Sequence, residues 1–206
     1  MAYTSIIPVH RLDNSVDYVL DEKKASRSQN ADSLQAAVDY ALNKDKTEQD
    51  LFCSAIGCTL DSAFEDMCQI KKMWHKEKGV QGFHLVQSFA AGEVTPELAH
   101  QIGQELAEHL LGGKYQVVIS THLNTGHIHN HLVWNSVSIQ TGKKYRSNEK
   151  SYVTGVRRIS DELCLKYHLS VIDTEKSERV ARPYAQWLAE QEGKPTWKTV
   201  IQQDVD

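Results

Sequence analysis

The chain carries the sequence His122-Leu-Asn-Thr-Gly-His-Ile-His-Asn-His-Leu-Val-Trp-Asn135 near its middle, and this stretch decides how the sheet and its site are arranged. Histidines occupy every second position from 127 to 131, and another stands at 122. Because successive side chains of a strand point to opposite faces, His127, His129 and His131 share one face of a predicted strand. Imidazole is the commonest side-chain metal ligand, so the alternation predicts a site for a divalent ion.

A hairpin brings the fourth histidine to the same place. Tyr115–Thr121 is rich in β-branched residues and predicts one strand, and His127–Val137 predicts the next. The turn-like Asn-Thr-Gly between them lets the chain fold back, which places His122 beside the alternating histidines. The six other histidines are isolated and are interpreted as surface or core residues: His10, His75, His84, His100, His109 and His168.

The remaining patterns predict an α+β domain, in which helices pack on a mostly antiparallel sheet. One helix has clear boundaries, because Thr95 and Pro96 form an N-terminal cap signal and Gly112 follows its last apolar residue. Further strands are predicted at 2–9, 51–56, 83–89 and 168–172. Further helices are predicted just after Asn14, at 33–42, from 59 or 61 to 78, at 150–167 and at 174–192.

Composition and length exclude several classes of protein. The chain has 206 residues, of which 40% are hydrophobic, which suffices for one domain with an appendage. It contains no apolar run of the roughly 18 residues that cross a bilayer, and no secretory signal, which favours a cytoplasmic protein with reduced cysteines. The net charge of −4 argues against a general polyanion binder, yet cationic side chains gather between 140 and 166.

The histidine cluster predicts a metal that polarises an oxygen atom of a substrate. Three neutral imidazoles leave coordination positions open for a carbonyl or phosphoryl oxygen. The cluster holds no carboxylate to activate water, and the chain has no phosphate-binding loop, dinucleotide fingerprint or serine-hydrolase elbow. The nucleophile must therefore come from elsewhere, and a tyrosine phenol is a candidate. Spacing does not choose among the eight tyrosines.

The histidine motif has companions elsewhere in the chain. The motif itself reads His122-x6-His129-x-His131, and Asn135 follows it. Three more stretches surround it in order: Val16–Lys24, Gly82–Pro96, and Gly142–Asn148 with Arg157–Ser160. Together these stretches resemble the motifs of conjugative relaxases, the mobilisation nucleases that nick plasmid or transposon DNA. The likeness is greatest to the MobA/MobL-type group.

The resemblance covers about residues 1–172 and implies an α+β fold of the HUH-endonuclease type. In that fold a central, mostly antiparallel five-stranded sheet is flanked by helices. The histidine strand would be central, and the helix that bears the catalytic tyrosine would lie above it. Residues 173–206 would form a helical extension or a linker toward a further C-terminal region.

The resemblance also implies roles for individual residues. His122, His129 and His131 would bind the metal, expected to be Mg²⁺ or Mn²⁺, with Zn²⁺ or Ni²⁺ as alternatives in a purified sample. Tyr18 would be the nucleophile, and His127 would assist at the scissile phosphate. Contacts to the DNA backbone are expected from Ser88, Lys143, Lys144, Arg146 and Arg157.

The implied activity is transesterification of single-stranded DNA. A tyrosine phenol would attack one phosphodiester of a transfer origin, form a covalent 5′-phosphotyrosine and leave a 3′-hydroxyl, so that the strand can be rejoined. Single-stranded or hairpin DNA and accessory relaxosome proteins are the expected partners, and the protein is expected to act as a monomer. The family usually has an aspartate where Asn124 stands, and an amide cannot act as a base.

Two other interpretations stay open from the sequence. The alternating histidines superficially resemble those of histidine-triad nucleotide hydrolases, although that signature has an apolar residue in place of Asn130 and does not explain His122 or Tyr18. A non-catalytic DNA-binding module with a structural metal is the second. A covalent protein–DNA adduct would separate the relaxase from both.

Overall fold

The computed structural model describes residues 2–10, 33–42, 52–123 and 127–172. These residues belong to the first of the two units into which the chain divides, Met1–Ile172. The predicted helix around Tyr18 and the predicted extension 173–206 lie outside the described residues, so both stay predictions. None of the described helices is long and apolar enough to cross a membrane.

A five-stranded antiparallel sheet forms the centre of the described fold and confirms the predicted α+β class. Its strands are β1 Tyr3–Val9, β2 Cys53–Ile56, β3 Gly82–Ser88, β4 Val117–His122 and β5 His129–Asn135. They are ordered β1-β3-β5-β4-β2 in space, so the histidine strand β5 is central, as expected. Strands β4 and β5 are buried along almost their whole length, because helices cover both faces of the sheet.

The helices divide into two layers. They are α1 Leu34–Ala41, α2 Ala63–Met73, α3 Pro96–Leu111, α4 Glu149–Ser151, a π-helical segment Tyr152–Arg157, and α5 Arg158–Lys166. One core cluster joins α1 and α2 to Val118 and Val133 of the sheet. The other joins α3 and α5 to Ile119, Leu132 and Trp134, whose side chains point to the opposite face.

The helix boundaries follow local signals in one case and tertiary contacts in another. Helix α3 has the predicted bounds, since the Thr95 hydroxyl accepts a hydrogen bond from the amide of Leu98 at 3.3 Å and Gly112 takes a left-handed φ of 55°. Helix α2 ends at Met73, so the prediction that it runs to residue 78 was wrong. Trp74 packs tightly on Gly142, where a Cβ atom would lie 2.4 Å from the indole ring.

Two other predicted elements differ from the structure. The helix expected at 150–167 exists, but its first part is the π-helical segment, which the sequence did not indicate. The strand expected at 168–172 is limited to one parallel bridge between Ala2 and Val171. His168 has a positive φ of 59°, which is incompatible with an extended strand at that residue.

Behind the histidines, a buried polar network holds the central strand. Asn130 stands between His129 and His131, so its side chain points to the other face. Its Nδ2 donates to Gln87 Oε1 at 3.1 Å and to the carbonyl of Ala99 at 2.6 Å, and its Oδ1 accepts from the Thr121 hydroxyl at 2.8 Å. A buried amide with all these partners fixes β5 against β3, β4 and α3.

The far end of β5 is fixed in a similar way by Asn135. Its Oδ1 accepts a hydrogen bond from the ammonium of Lys71 at 2.5 Å, and its Nδ2 donates to Gln116 Oε1 at 2.9 Å and to the carbonyl of Met67 at 3.1 Å. Lys71 is completely buried, and burial lowers its pKa to about 7. Asn135, which follows the histidine motif, is therefore an anchor between the sheet and α2.

Helix α3 approaches Asn130 so closely that only glycine fits at position 103. A Cβ on Gly103 would lie 2.9 Å from Asn130 Nδ2 and 3.3 Å from a methyl group of Ile119. Asn130 cannot give way cheaply because its three hydrogen bonds hold it in place. Gly155, in the π-helical segment, is a matched control, since its nearest neighbour would be 3.9 Å away in the side chain of Leu110.

We expect Gly103→Ala to lower the free energy of unfolding by about 1–3 kcal/mol, because overpacking strains the network behind the histidines. Gly155→Ala should cause no loss, since it adds a methyl group where there is space. Urea denaturation of both variants measures the difference. Equal stabilities of the two variants would contradict the role given to Gly103.

Candidate metal centre

The pairing of β4 with β5 brings three histidines together on one face. His122 is paired directly with His129, and Ser120 is paired with His131. Each of His122, His129 and His131 offers one ring nitrogen to a metal, and these three nitrogens lie within 4.8 Å of one another. The ring centroids are 4.2 Å apart for His122 and His131, 4.9 Å for His129 and His131, and 5.4 Å for His122 and His129.

Two of these imidazoles are oriented by backbone carbonyls. His122 Nε2 donates a hydrogen bond to the carbonyl of Ala41 at 2.9 Å, and His129 Nδ1 donates to the carbonyl of His127 at 3.0 Å. A carbonyl only accepts, so Nε2 of His122 and Nδ1 of His129 each carry a hydrogen atom. Metal binding would therefore use Nδ1 of His122 and Nε2 of His129.

The third imidazole is oriented by another histidine. His84 Nε2 lies 2.8 Å from Nδ1 of His131, and both side chains are buried. Burial, with a further effect of the charge of His122, lowers the pKa of His84 to about 4, so His84 is neutral and can accept the hydrogen of His131. Nε2 of His131 would then bind the metal. His84 stands 47 positions before His131, and its isolation in the sequence concealed this contact.

The donor set fits one divalent ion. Metal–imidazole bonds of about 2.1 Å hold two nitrogens at most about 4.2 Å apart, so small ring rotations would complete the coordination. Ring nitrogens are good ligands for Zn²⁺ and Ni²⁺. His122 and His131 are buried, whereas His129 is half-buried, so a substrate would approach from the side of His129.

A tyrosine of α1 lies over the histidines. The ring centroid of Tyr40 is 5.2 Å from that of His131 and 5.5 Å from that of His122, and the residue is half-buried. The next residue, Ala41, provides the carbonyl that holds His122. Spacing alone did not single out Tyr40 as a site residue. The predicted nucleophile, Tyr18, lies outside the described residues.

Ser88 extends the histidine face toward the edge of the sheet. It ends β3 directly opposite His129, and paired residues of antiparallel strands share a face. Tyr3 is in turn paired with Ser88 and is 57% exposed. One row of side chains thus crosses four strands from Tyr3 to His122. Its geometry suits the predicted contact of Ser88 with a DNA strand, which stays a prediction.

His127 lies just before β5, because the strand begins at His129. The prediction that His127 belongs to the strand was therefore wrong by two residues. Its exposed imidazole is not part of the three-histidine group found among the described residues. Its carbonyl, however, orients His129. The catalytic role expected of its side chain stays a prediction.

Comparison with known proteins decides the family. The family model of the MobA/VirD2-like relaxase nuclease domain matches residues 40–169. This chain belongs to that family. It is similar to two Staphylococcus aureus proteins named Protein rlx, at 34% identity over 84% of this chain and 50% of that protein, and at 38% identity over 70% and 44%. It is also similar to the group II intron-interrupted relaxase LtrB of Lactococcus lactis, at 29% identity over 100% of this chain and 43% of LtrB. The chain thus spans about half the length, or less, of these curated relatives.

In this member of the relaxase family, three of the predicted DNA-binding residues line one cleft. Lys143, Lys144 and Arg146 surround a space of about 1130 Å³ at the end of the sheet beyond Asn135. The cleft also contains two further lysines and three aromatic residues, and none of the described residues that line it is acidic. These additional residues, which the sequence did not connect with Lys143, are Lys76, Lys78, Trp74, Tyr115 and Tyr145.

Two of the basic residues predicted to bind DNA, Lys144 and Arg157, already make hydrogen bonds or ion pairs within the protein. Lys144 donates hydrogen bonds to the carbonyls of Val80, at 2.9 Å, and Lys78, so its ammonium joins the walls of the cleft. Arg157 lies away from the cleft, where it donates to the carbonyl of Ile172 at 3.2 Å and pairs with Asp161 at 3.7 Å. The role of each in DNA binding stays a prediction.

We expect His129→Ala to abolish stoichiometric binding of Mn²⁺, because it removes one of the three ligands. His127→Ala is the matched control and should keep the metal, since its imidazole is not part of the three-histidine group found among the described residues. His84→Phe should weaken the affinity for Mn²⁺ by about 10–100-fold, because His131 loses its orienting partner. Calorimetric titration with Mn²⁺ measures all three. Metal binding that survives His129→Ala but not His127→Ala would contradict this assignment.

Proposed function

We propose that this chain is the catalytic part of a DNA relaxase. It would cut one strand at the transfer origin of a mobile element through a covalent 5′-phosphotyrosine, and it would later rejoin the strand. The observation that carries the proposal is the convergence of three imidazoles, of which that of His129 is half-buried, on one face of the central sheet. Membership of the relaxase nuclease-domain family supports the same reaction.

The imidazoles define what the site can do chemically. When bound, a divalent ion, Mg²⁺ or Mn²⁺ in the cell, would neutralise charge on the non-bridging oxygens of one phosphodiester. The three histidines are neutral ligands, so they would leave the positive charge of the ion available to the phosphate. His84 and the two backbone carbonyls hold the rings in place before substrate binds, which reduces the reorganisation that the reaction requires.

The transfer itself is an exchange of esters. A phenolic oxygen forms a bond to phosphorus while the bond from phosphorus to the 3′-oxygen breaks, and that oxygen leaves as a 3′-hydroxyl. No water enters, so the ester energy is retained and the reverse reaction reseals the strand. His127, exposed beside the metal ligands, is suited to accept the phenolic proton. The family motif assigns the phenol to Tyr18.

The basic cleft would hold a flanking segment of the same DNA. Strand β5 is seven residues long, so the cleft lies roughly 20 Å from the histidines, at about 3.4 Å per residue. Lysine and arginine would contact phosphates, and Trp74 and the tyrosines offer rings for stacking with bases. Accessory relaxosome proteins would be needed to expose the strand at the origin.

We expect a covalent adduct when the protein is incubated with Mn²⁺ and single-stranded oligonucleotides that carry candidate transfer origins. Because the protein would remain on the 5′-phosphate, a fluorophore at the 3′ end should migrate with the protein on a denaturing gel, and one at the 5′ end should not. EDTA and the His129→Ala variant should both prevent the adduct. Release of nucleoside monophosphates without an adduct would favour a histidine-triad hydrolase. Binding with neither product would favour a non-catalytic module.

We expect the double substitution Lys143→Gln and Arg146→Gln to weaken binding of single-stranded DNA, because both cations are exposed in the cleft. The slope of log K against log salt concentration should fall by about 1.4 for two lost phosphate contacts. Fluorescence anisotropy over a range of salt measures it. Arg158→Gln is the matched control, since Arg158 is paired with Glu162 at 2.7 Å outside the cleft. Equal slopes for both variants would remove the cleft from the DNA path.

A further inference from the structure

We propose that a cavity on helix α3 binds an arginine side chain of a partner protein. The cavity has a volume of about 220 Å³ and is lined by Phe52, Glu97, His100, Gln101 and Gln104. None of these residues belongs to the candidate metal centre or lines the basic cleft. The inference goes beyond the relaxase reaction, because it concerns a protein partner, and it is tested separately from that reaction.

The buried His100 presents an unused acceptor at the cavity. The Thr121 hydroxyl donates its hydrogen to Asn130 Oδ1 at 2.8 Å, so it can only accept from His100 Nδ1, which lies 3.1 Å away. Burial lowers the pKa of His100, which favours the neutral ring with a lone pair on Nε2. No described residue donates to this nitrogen. Because His100 is only 7% exposed, a ligand in the cavity would supply the hydrogen bond that Nε2 lacks.

Gln101 offers a second acceptor, because the nitrogen of its amide is already used. Its Nε2 donates to Glu105 Oε1 at 3.2 Å and to the Tyr167 hydroxyl at 2.8 Å. Tyr167 in turn donates its own hydrogen to Glu105, so toward Gln101 it acts as an acceptor. These contacts fix the orientation of the amide. No described residue donates to Oε1 of Gln101, which can therefore accept a hydrogen bond from a ligand.

Glu97 gives the cavity a negative charge. Its exposed carboxylate stands in the first turn of α3 and forms no ion pair with any described residue. The described residues that line the cavity include no lysine and no arginine. The cavity thus combines acceptors from an imidazole, an amide and a carboxylate without a cation of its own. A ligand that complements it must bring N–H donors and a positive charge.

An arginine side chain meets these requirements better than other cations. Its planar guanidinium has five N–H donors, which serve several acceptors at once, and it packs on aromatic rings. Phe52 offers such a ring at the cavity wall, with its centroid 6.3 Å from that of His100. The volume is below the roughly 300–1,000 Å³ of small-molecule sites, so it suits one side chain. A metal ion fits less well, because Glu97 and His100 are the only common metal ligands among the described lining residues.

The surface of α3 beyond the cavity has the same charge. Glu97, Gln101, Gln104 and Glu108 follow at intervals of four, three and four residues, so they form one stripe along the helix. Glu108 is exposed and has no ion-pair partner among the described residues. At 1.5 Å per residue, the two carboxylates of the stripe are about 16 Å apart. The stripe fits a basic protein segment with one arginine in the cavity and a second cation near Glu108, whereas it would repel the phosphates of DNA.

A partner bound to this stripe would leave the path of the DNA open. The Thr121 side chain points toward α3, and that of the next residue, His122, points to the opposite face, where the candidate metal centre lies. The cavity therefore lies at the histidine end of the sheet but on its other side. The basic cleft is at the other end of β5. An accessory protein would thus dock while a DNA strand occupies the histidine face.

Titration of the ¹⁵N-labelled protein, followed by NMR, tests the proposal. The probe is the peptide acetyl-Gly-Arg-Gly-amide, and the same peptide with citrulline is its uncharged isostere. We expect saturable shifts of the His100 ring and of the Gln101 side-chain amide with the arginine peptide, and about 10-fold weaker binding of the citrulline peptide. Equal binding of the two peptides, or no shifts at these residues, would overturn the proposal. The same shifts with a single-stranded oligonucleotide would assign the cavity to a nucleobase, and tighter binding of spermidine would assign it to a free polyamine.

Substitutions locate the binding energy in the cavity. Glu97→Gln should weaken binding of the arginine peptide by about 2–5-fold, the usual effect of an exposed ion pair. Glu65→Gln is the matched control, since Glu65 is an exposed glutamate in the first turn of α2, in the other helix layer. Equal affinities of these two variants would contradict the proposal.

His100→Phe should weaken binding of the arginine peptide by about 10-fold or more, because the cavity loses its buried acceptor. Urea denaturation checks that this variant is folded, and unchanged affinity in the folded variant would remove His100 from the site. Glu97→Gln should bind Mn²⁺ and form the covalent DNA adduct like wild type, because Glu97 lies outside the metal centre and the basic cleft. Failure of the arginine proposal would therefore leave the proposed relaxase function standing.

Discussion

The antiparallel pairing of β4 with β5 in one register is the constraint on which the site depends. With His122 opposite His129 and Ser120 opposite His131, the three imidazoles of the candidate metal centre face the same side. A slip of β5 by one residue would turn His129 and His131 to the other face, where helix α3 packs. The network around Asn130 opposes such a slip, because it would leave buried partners unpaired. Apolar packing on one face and hydrogen bonds on the other thus specify the same register.

How much of this could be read from the sequence depends on the range of each interaction. Alternation and β-branched runs are local signals, and they predicted the hairpin and the histidines gathered at its end. The bounds of α3 followed from Thr95, Pro96 and Gly112 for the same reason. The choice of three ligands and the central position of the strand came from the family resemblance instead. In contrast, His84 meets His131 across 47 positions, and Ala41 meets His122 across 81. No local pattern encodes such pairs, so His84 was interpreted as an ordinary core residue and Tyr40 was not singled out.

Errors at element ends have a similar origin. Trp74 ends α2 early because Gly142, far along the chain, leaves space for an indole ring. His127 was expected on the strand from its spacing, but its carbonyl turns toward the ring of His129 instead of continuing the ladder. The basic cleft also depends on contacts that are distant in sequence. The sequence indicated the cations at 143–146, but Lys76 and Lys78 join them only in the folded protein. A chain with a net charge of −4 can therefore still present a cationic surface.

Strand β5 connects the two parts of the proposed reaction, with imidazoles at its beginning and the anchor Asn135 at the end near the cleft. Anomalous diffraction from crystals grown with Mn²⁺ tests the central claim most directly. The account predicts one peak at about 2.1–2.3 Å from Nδ1 of His122, Nε2 of His129 and Nε2 of His131. A protein that holds no manganese there, or holds it through fewer than two of these nitrogens, would contradict it.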